Sequence, residues 1–204
     1  MLVTGFEPYG GFHYNPSEEV ARTLDGAEVG GFRVVGRVLP VSLKRAPPTL
    51  LELLEKYRPK VVLALGLAPR ARSVVVELAF ANVADFRAAD ADGYRAELVK
   101  LAEDSPLVLP THLPVDAIVS TCRGRGLRLS PGVSAGTYLC NVIGYLVSRY
   151  SQSSRAVGGF LHIPPTTDLA MRHKLEWGMP MHEVLGAVRC VLEVAVEHAS
   201  RKVF

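Results

Sequence analysis

Residues 60–67, KVVLALGL, are almost entirely apolar and follow a proline, Pro59. The stretch lacks the alternation of apolar and polar residues that marks a strand with one solvent-exposed face. A short, continuous apolar run of this kind predicts a β-strand that helices cover on both faces. We therefore expect these residues to form a strand inside an α/β sheet.

The segments on either side alternate between β-rich runs and amphipathic runs. Residues 48–57 carry leucines at helical spacing, and Asn15 followed by Pro16 is a favourable helix start. This alternation predicts an α/β sandwich with a largely parallel sheet. The predicted strands are 2–6, 32–41, 60–67, 73–83, 127–133 and 156–163, the predicted helices are 15–24, 48–57, 115–122, 137–150 and 181–200, and 86–97 is a polar loop.

The size and composition fit one domain that spans 1–204. Hydrophobic residues make up 49% of the chain and the mean hydropathy is +0.20. Both values are high for a soluble chain, so we expect a homo-oligomer that covers apolar surface. The net charge is only +3, and the basic cluster 123–128, RGRGLR, has no interleaved aromatics. A solvated loop explains that cluster better than nucleic-acid binding does.

The expected location is the cytoplasm, because the first apolar run, MLVTGF, is too short for a signal peptide. No segment has the length of a membrane span, so no membrane association is predicted. Cys122, Cys140 and Cys190 are too few and too scattered for a disulfide framework, and free thiols are expected. Cys122 and Cys190 lie in helical apolar patterns typical of a core or a subunit interface.

Neither a metal site nor a phosphate loop is predicted. The chain contains no H-E-x-x-H pattern and no C-x-x-C pair, which are common metal-ligand spacings. The loop GFEPYGG after the first strand lacks the residues that bind phosphate in nucleotide-binding loops. Its aromatic residues Phe6 and Tyr9 fit better as walls of a small apolar pocket.

Three residues have the chemical types of a catalytic triad. Cys140 falls at the start of a predicted helix, where a thiolate is favoured, and His162 ends a predicted strand. Glu77 lies inside the apolar run SVVVELAF, where a carboxylate needs a partner. Each alone is compatible with a purely structural role, but together they supply a nucleophile, a base and an acid that orients the base. Their spacing does not show that they meet.

The chain resembles the pyroglutamyl peptidase I family, also called pyrrolidone-carboxylate peptidases, nearly from end to end. The resemblance implies a three-layer α/β/α sandwich with a twisted, mixed sheet, and commonly a homotetramer. Its most specific motifs are the opening loop and the segment around Cys140. The matching stretches are LVTGFEPYGG, NPSEEVARTL, GRVLPVSLKRA, LALGLAP, VSAGTYLCN and GGFLHIPPT.

The resemblance also implies an activity and the residues that perform it. Family members are cysteine exopeptidases that remove an N-terminal pyroglutamyl residue from peptides, without a metal or cofactor. By motif, Cys140 would be the nucleophile, His162 the base and Glu77 the residue that orients it. The amide of Cys140 and the side chain of Arg87 would be candidates for stabilising the oxyanion.

The expected substrate pocket combines Phe6, Tyr9, Leu67 and Ala88. Phe6 and Tyr9 match an aromatic sandwich around the lactam ring, and Ala88 replaces an isoleucine of the family. Together with Leu78, which replaces an arginine, these departures leave two alternatives open. One is a related thiol hydrolase with a shifted N-terminal specificity. The other is a catalytically weakened homologue that binds pyroglutamyl ends.

Overall fold

A mixed β-sheet with helices on both faces forms the framework of the protein, as a computed structural model shows for residues 1–201. Residues 202–204, the end of the predicted domain, lie outside the described residues. The strands are β1 Leu2–Phe6, β2 Glu28–Val29, β3 Phe32–Arg33, β4 Val35–Leu39, β5 Val61–Leu67, β6 Val74–Glu77, β7 Ala79–Ala81, β8 Val83–Ala84, β9 Val99–Lys100, β10 Val108–Pro110, β11 Leu129–Gly132 and β12 Val157–Ile163. The helices are α1 Pro16–Leu24, α2 Ala46–Tyr57, α3 Val115–Gly124, α4 Leu139–Ser154, α5 Thr167–His173 and α6 Met181–Arg201.

The apolar run that predicted a buried strand forms β5, an interior strand of the main sheet. The six strands of this sheet lie in the order β11-β6-β12-β5-β1-β4. β5 pairs in parallel with β1 and with β12, and six of its seven residues are buried. Its side chains alternate between the two faces, since Leu63 belongs to one core cluster and Ala64 to the other. Both faces are therefore apolar, as the sequence predicted.

Helices cover both faces of the sheet and complete the predicted α/β/α sandwich. α1, α3 and α6 pack on one face, where Val20, Ile118 and Val188 join a common cluster. α2 and α4 pack on the other face, where Leu50 and Ile143 join the second cluster. Among the described helices, none combines the length and the hydropathy that crossing a membrane requires.

Two of the predicted strands are shorter than expected. The run 73–83 breaks at Leu78, because only β6 stays in the main sheet while β7 pairs antiparallel with β10. The run 32–41 breaks at Val34, where β3 ends its antiparallel pairing with β2 and β4 begins to pair with β1. β6 itself runs antiparallel to β12. The sheet is consequently mixed, with β6 and β11 opposite in direction to the other four strands.

The structure confirms the predicted start of one helix and corrects that of another. The side chain of Asn15 accepts a hydrogen bond from the amide of Ser17 at the start of α1, as predicted. α4 begins two residues later than expected, after Tyr138, without a side-chain cap. Thr137, the first residue of the predicted helix, lies outside α4 and donates its hydroxyl to the carbonyl of Asp85. The short helix α5 was not predicted.

The cysteines correct the expectation that all three thiols are free. Cys122 on α3 and Cys190 on α6 form a disulfide with their Cα atoms 5.9 Å apart, and Cys140 remains free. Both bridged residues are buried in the same helical layer. A separation of 68 residues in the sequence gave no sign of this contact. The bond joins two helices that are far apart in the chain.

We expect this disulfide to raise the free energy of unfolding by about 4 kcal/mol, because it closes a long loop in the unfolded chain. Denaturant unfolding of the oxidised and the reduced wild-type protein measures the difference. Titration of the denatured protein should find one free thiol before reduction and three afterwards. Three free thiols without reductant would show that the bond does not form.

Candidate active site

The three residues predicted to form a triad meet on one face of the sheet. Cys140 is the second residue of α4, His162 is the penultimate residue of β12, and Glu77 is the last residue of β6. They lie on the face that α4 covers. The helix start favours a negative charge on the sulfur, because its first amides have no partner within the helix.

The imidazole of His162 is fixed by a short hydrogen bond to Glu77. Nδ1 of His162 lies 2.7 Å from Oε1 of Glu77. The side chain of Glu77 is 5% exposed and that of His162 is 14% exposed, so water competes little for this contact. With Nδ1 engaged, Nε2 is the nitrogen left to interact with Cys140. This is the relay of nucleophile, base and orienting acid that a thiol peptidase requires.

The charges at the site favour an imidazolium on His162. Burial opposes a positive charge there, but the attraction and hydrogen bond from Cys140, followed by those from Glu77, outweigh it. Together they raise the pKa of His162 to about 10. The imidazole of His162 therefore keeps its positive charge at neutral pH and loses it only well above neutrality.

Two glycines provide the space that the triad occupies. Gly66, opposite His162 in the pairing of β5 with β12, lies under the sulfur. A Cβ on Gly66 would come within 2.8 Å of Sγ of Cys140, and one on Gly132 within 2.6 Å of Oε2 of Glu77. Real Cβ atoms do not approach other atoms this closely, so larger residues would displace the catalytic groups. The sequence reasoning missed both glycines.

The residue after the nucleophile anchors the start of α4. Asn141 is fully buried, and its amide nitrogen donates to the carbonyls of Ala81 and Val83. Its Oδ1 accepts the amide of Ala81 at 2.7 Å. These bonds fix α4 to the short strands β7 and β8. Asn141 was not predicted, although an amide beside a candidate nucleophile at a helix start was a visible signal.

One of the two predicted oxyanion donors is available at the site. The regular hydrogen bonds of α4, each to the carbonyl four residues earlier, begin at the amide of Val142, which donates to the carbonyl of Tyr138. The amide of Cys140 precedes it and makes no hydrogen bond within residues 1–201. Arg87 is exposed, and within the same residues its guanidinium makes no hydrogen bond or ion pair. The backbone of Cys140 is thus the donor that the structure presents at the sulfur.

A small, mostly apolar cavity adjoins Cys140. Its volume is about 160 Å³, and its lining includes the predicted residues Phe6, Tyr9 and Leu67. Ala88 is exposed and is not among the described residues that line this cavity. Tyr138, which the sequence reasoning did not assign to the pocket, lines it instead. A ring with few polar atoms suits such a cavity.

Two tyrosine hydroxyls meet at one side of this cavity. The hydroxyls of Tyr9 and Tyr138 both donate to the carbonyl of Ala89. Phe86 is buried against the ring of Tyr138 at a centroid distance of 4.4 Å. Asp90 accepts the amide of Leu43 at 2.8 Å. The loop that contains Arg87 and Ala88 is therefore tied to the pocket from both sides.

Sequence and structure comparisons extend over nearly the whole chain. A family model described as pyroglutamyl peptidase matches residues 1–201. The pyrrolidone-carboxylate peptidase of Thermococcus litoralis is 42% identical over 170 residues, covering 82% of this chain and 77% of that protein. The one from Pyrococcus furiosus is 34% identical over 203 residues, covering 97% of this chain and 98% of that protein. A solved structure of pyrrolidone carboxyl peptidase from Thermococcus litoralis superposes with a TM-score of 0.93 at 36% identity, covering 98% of this chain and 94% of that one.

Substitution of Gly66 tests whether the sulfur of Cys140 needs the space that this glycine leaves. We expect Gly66→Ala to lower kcat by about 10²-fold, because a displaced sulfur loses its alignment with His162. Gly124→Ala at the end of α3 is the control, since its Cβ would meet no atom within 4 Å. Steady-state kinetics and thermal unfolding of both variants separate a displaced sulfur from a failure to fold. A folded Gly66→Ala enzyme with unchanged kcat would contradict the close contact.

Proposed function

The chain belongs to the pyroglutamyl peptidase family, and from this membership we propose that Cys140, His162 and Glu77 carry its catalysis. The enzyme is a pyroglutamyl peptidase I-type cysteine peptidase, which removes an N-terminal pyroglutamyl residue from peptides. The comparisons do not favour the alternatives of a shifted specificity or a weakened homologue. The observation that most supports the assignment of roles is the 2.7 Å contact between His162 and Glu77 beside the only free cysteine of residues 1–201.

In the first half of the reaction the sulfur of Cys140 attacks the carbonyl carbon of the pyroglutamyl residue. The charge that develops on the carbonyl oxygen is stabilised by the amide of Cys140, which makes no other hydrogen bond within residues 1–201. When the tetrahedral intermediate collapses, the imidazolium of His162 gives its proton to the departing amine. A thioester between the pyroglutamyl group and Cys140 remains.

In the second half water replaces the departed peptide. The imidazole of His162 is now neutral and accepts a proton from the water, which attacks the thioester. Pyroglutamate is released and the imidazolium and thiolate are restored. Glu77 holds the ring in one orientation throughout and stabilises its charged form.

The cavity beside Cys140 favours substrates whose N-terminal group is uncharged. Phe6 and Tyr9 would contact the lactam ring, with Leu67 at the same wall. An ordinary peptide has an ammonium group at its N-terminus, and burying it there without a partner is unfavourable. Arg87, which is exposed, is the candidate for a second oxyanion donor.

We also propose that the enzyme is a homotetramer in the cytoplasm. Exposed apolar side chains support an assembly, because Leu98, Leu107, Val133 and Met171 are each more than 70% exposed in the single chain. Disulfides are rare in the cytoplasm because reducing systems act there, so the bond between Cys122 and Cys190 has to resist reduction if the enzyme is cytoplasmic.

The nucleophile can be identified by release of a fluorogenic amine from a pyroglutamyl amide. We expect turnover by the wild-type enzyme and a loss of at least about 10³-fold in Cys140→Ser, because a serine hydroxyl is a much weaker nucleophile near neutral pH. The double variant Cys122→Ser/Cys190→Ser is the control, since it removes the other two sulfurs and keeps Cys140. Turnover by folded Cys140→Ser at the wild-type rate would refute the assignment.

The pH dependence of kcat/KM tests the role of Glu77. With the pKa of His162 raised to about 10, activity should fall on the alkaline side when the imidazolium is lost near that pH. Glu77 raises this pKa, so in Glu77→Gln the alkaline limb should move to lower pH. Glu55→Gln, the same change at an exposed position of α2, should leave the limb in place. An alkaline limb that does not move in Glu77→Gln would exclude the proposed role.

A further inference from the structure

A second cavity adjoins the substrate pocket at Pro69. Its volume is about 470 Å³, and it is lined by the segments 69–72 and 174–177, which we call the basic cleft. Pro69 lines both the basic cleft and the cavity beside Cys140. The two cavities are therefore neighbours on the surface of the protein.

The basic cleft is built from segments that follow the strand β5 and the helix α5. Segment 69–72 follows β5 closely, and segment 174–177 follows α5, which is the next helix after His162. The two strand ends are joined there by a hydrogen bond from the amide of Ala68 to the carbonyl of Ile163. Since the pyroglutamyl ring fills the apolar cavity, the rest of the peptide must leave it on an open side. The basic cleft is next to the cavity, since the two share Pro69.

The charges of the basic cleft are unbalanced. It contains three cations, Arg70, Arg72 and Lys174, and one anion, Glu176. Arg72 pairs with Glu176 at 2.9 Å, which leaves two cations uncompensated. Arg70 and Lys174 are exposed, and neither makes an ion pair with any residue in the described part of the chain. A carboxylate in the cleft would meet two available cations.

We propose that the basic cleft binds the departing portion of pyroglutamyl peptides and selects those that carry a carboxylate close to the scissile bond. The carboxylate is either an acidic side chain or the free C-terminus of a short peptide. This inference rests on the proposed function, because it names the part of the substrate that follows the pyroglutamyl residue.

The expected preference is modest because the two cations are exposed to solvent. Surface ion pairs are weak, so peptides with a carboxylate should have a kcat/KM about threefold to tenfold above that of neutral peptides at low ionic strength. Salt screens exposed charges, and at about 1 M the preference should nearly vanish. The difference should lie mainly in KM, since the carboxylate is remote from the reacting atoms.

The test compares four peptides that differ only after the pyroglutamyl residue. They are pyroglutamyl-alanyl-alanine amide, the same peptide with a free C-terminus, and the amides with glutamate or lysine in place of the first alanine. Release of the new amine gives kcat/KM for each at low and at high salt. The free C-terminus and the glutamate side chain distinguish the two sources of the carboxylate.

Two double variants locate the preference. Arg70→Gln/Lys174→Gln removes the available cations of the basic cleft, and Arg58→Gln/Lys60→Gln removes the same two residue types from the surface. Arg58 and Lys60 precede β5, whose seven residues separate them from Pro69 by roughly 20 Å. The control therefore changes the net charge equally without changing the basic cleft.

The quantity compared is the ratio of kcat/KM for carboxylate-bearing and neutral peptides within each protein. The proposal expects a high ratio in the wild-type and control proteins and a ratio near one in Arg70→Gln/Lys174→Gln. Equal rates for all peptides in the wild-type enzyme, or a ratio that survives in that variant, would overturn it while leaving the proposed function intact. No hydrolysis of any peptide by folded wild-type enzyme would overturn the proposed function, and this inference with it.

Discussion

The buried hydrogen bond between Glu77 and His162 is the contact on which the rest of the site depends. A carboxylate that is 5% exposed is costly to bury, and only a partner that gains positive charge offsets that cost. His162 is such a partner because Cys140 lies on its other side. Removing any one of the three would leave the other two in a state that burial disfavours. The triad is therefore a mutually dependent unit within the fold as well as in the chemistry.

The same contact leaves the second carboxylate oxygen of Glu77 without a partner. Oε2 of Glu77 is buried without a hydrogen-bond partner in the described residues, a cost of about 1–3 kcal/mol by itself. Gly132 on the neighbouring β11 leaves the space this oxygen occupies. A larger residue there would fill the space at the expense of the orientation of the carboxylate. The fold gives up local stability at this point and keeps a rigid acceptor for His162, as is common at functional sites.

The sequence predicts those features that depend on local chemistry. Continuous apolar character identified β5, and the pair of Asn15 and Pro16 identified the start of α1. Glu77 was selected because a lone carboxylate in an apolar strand needs a partner. The direction of β6 was not predictable, because an apolar run looks the same whichever way the strand runs. Asn141 and Gly66 were missed because their roles depend on contacts with segments far away in the chain.

The arrangement of the cysteines shows how one fold can hold a disulfide and a reactive thiol together. A thiolate exchanges with any disulfide that it can reach, and exchange would inactivate the enzyme. Cys122 and Cys190 belong to the core cluster on the face covered by α3 and α6, whereas Cys140 packs with the cluster on the opposite face. The full thickness of the sheet lies between them. The α/β/α architecture thus separates the bond that supports the fold from the sulfur that we propose as the nucleophile.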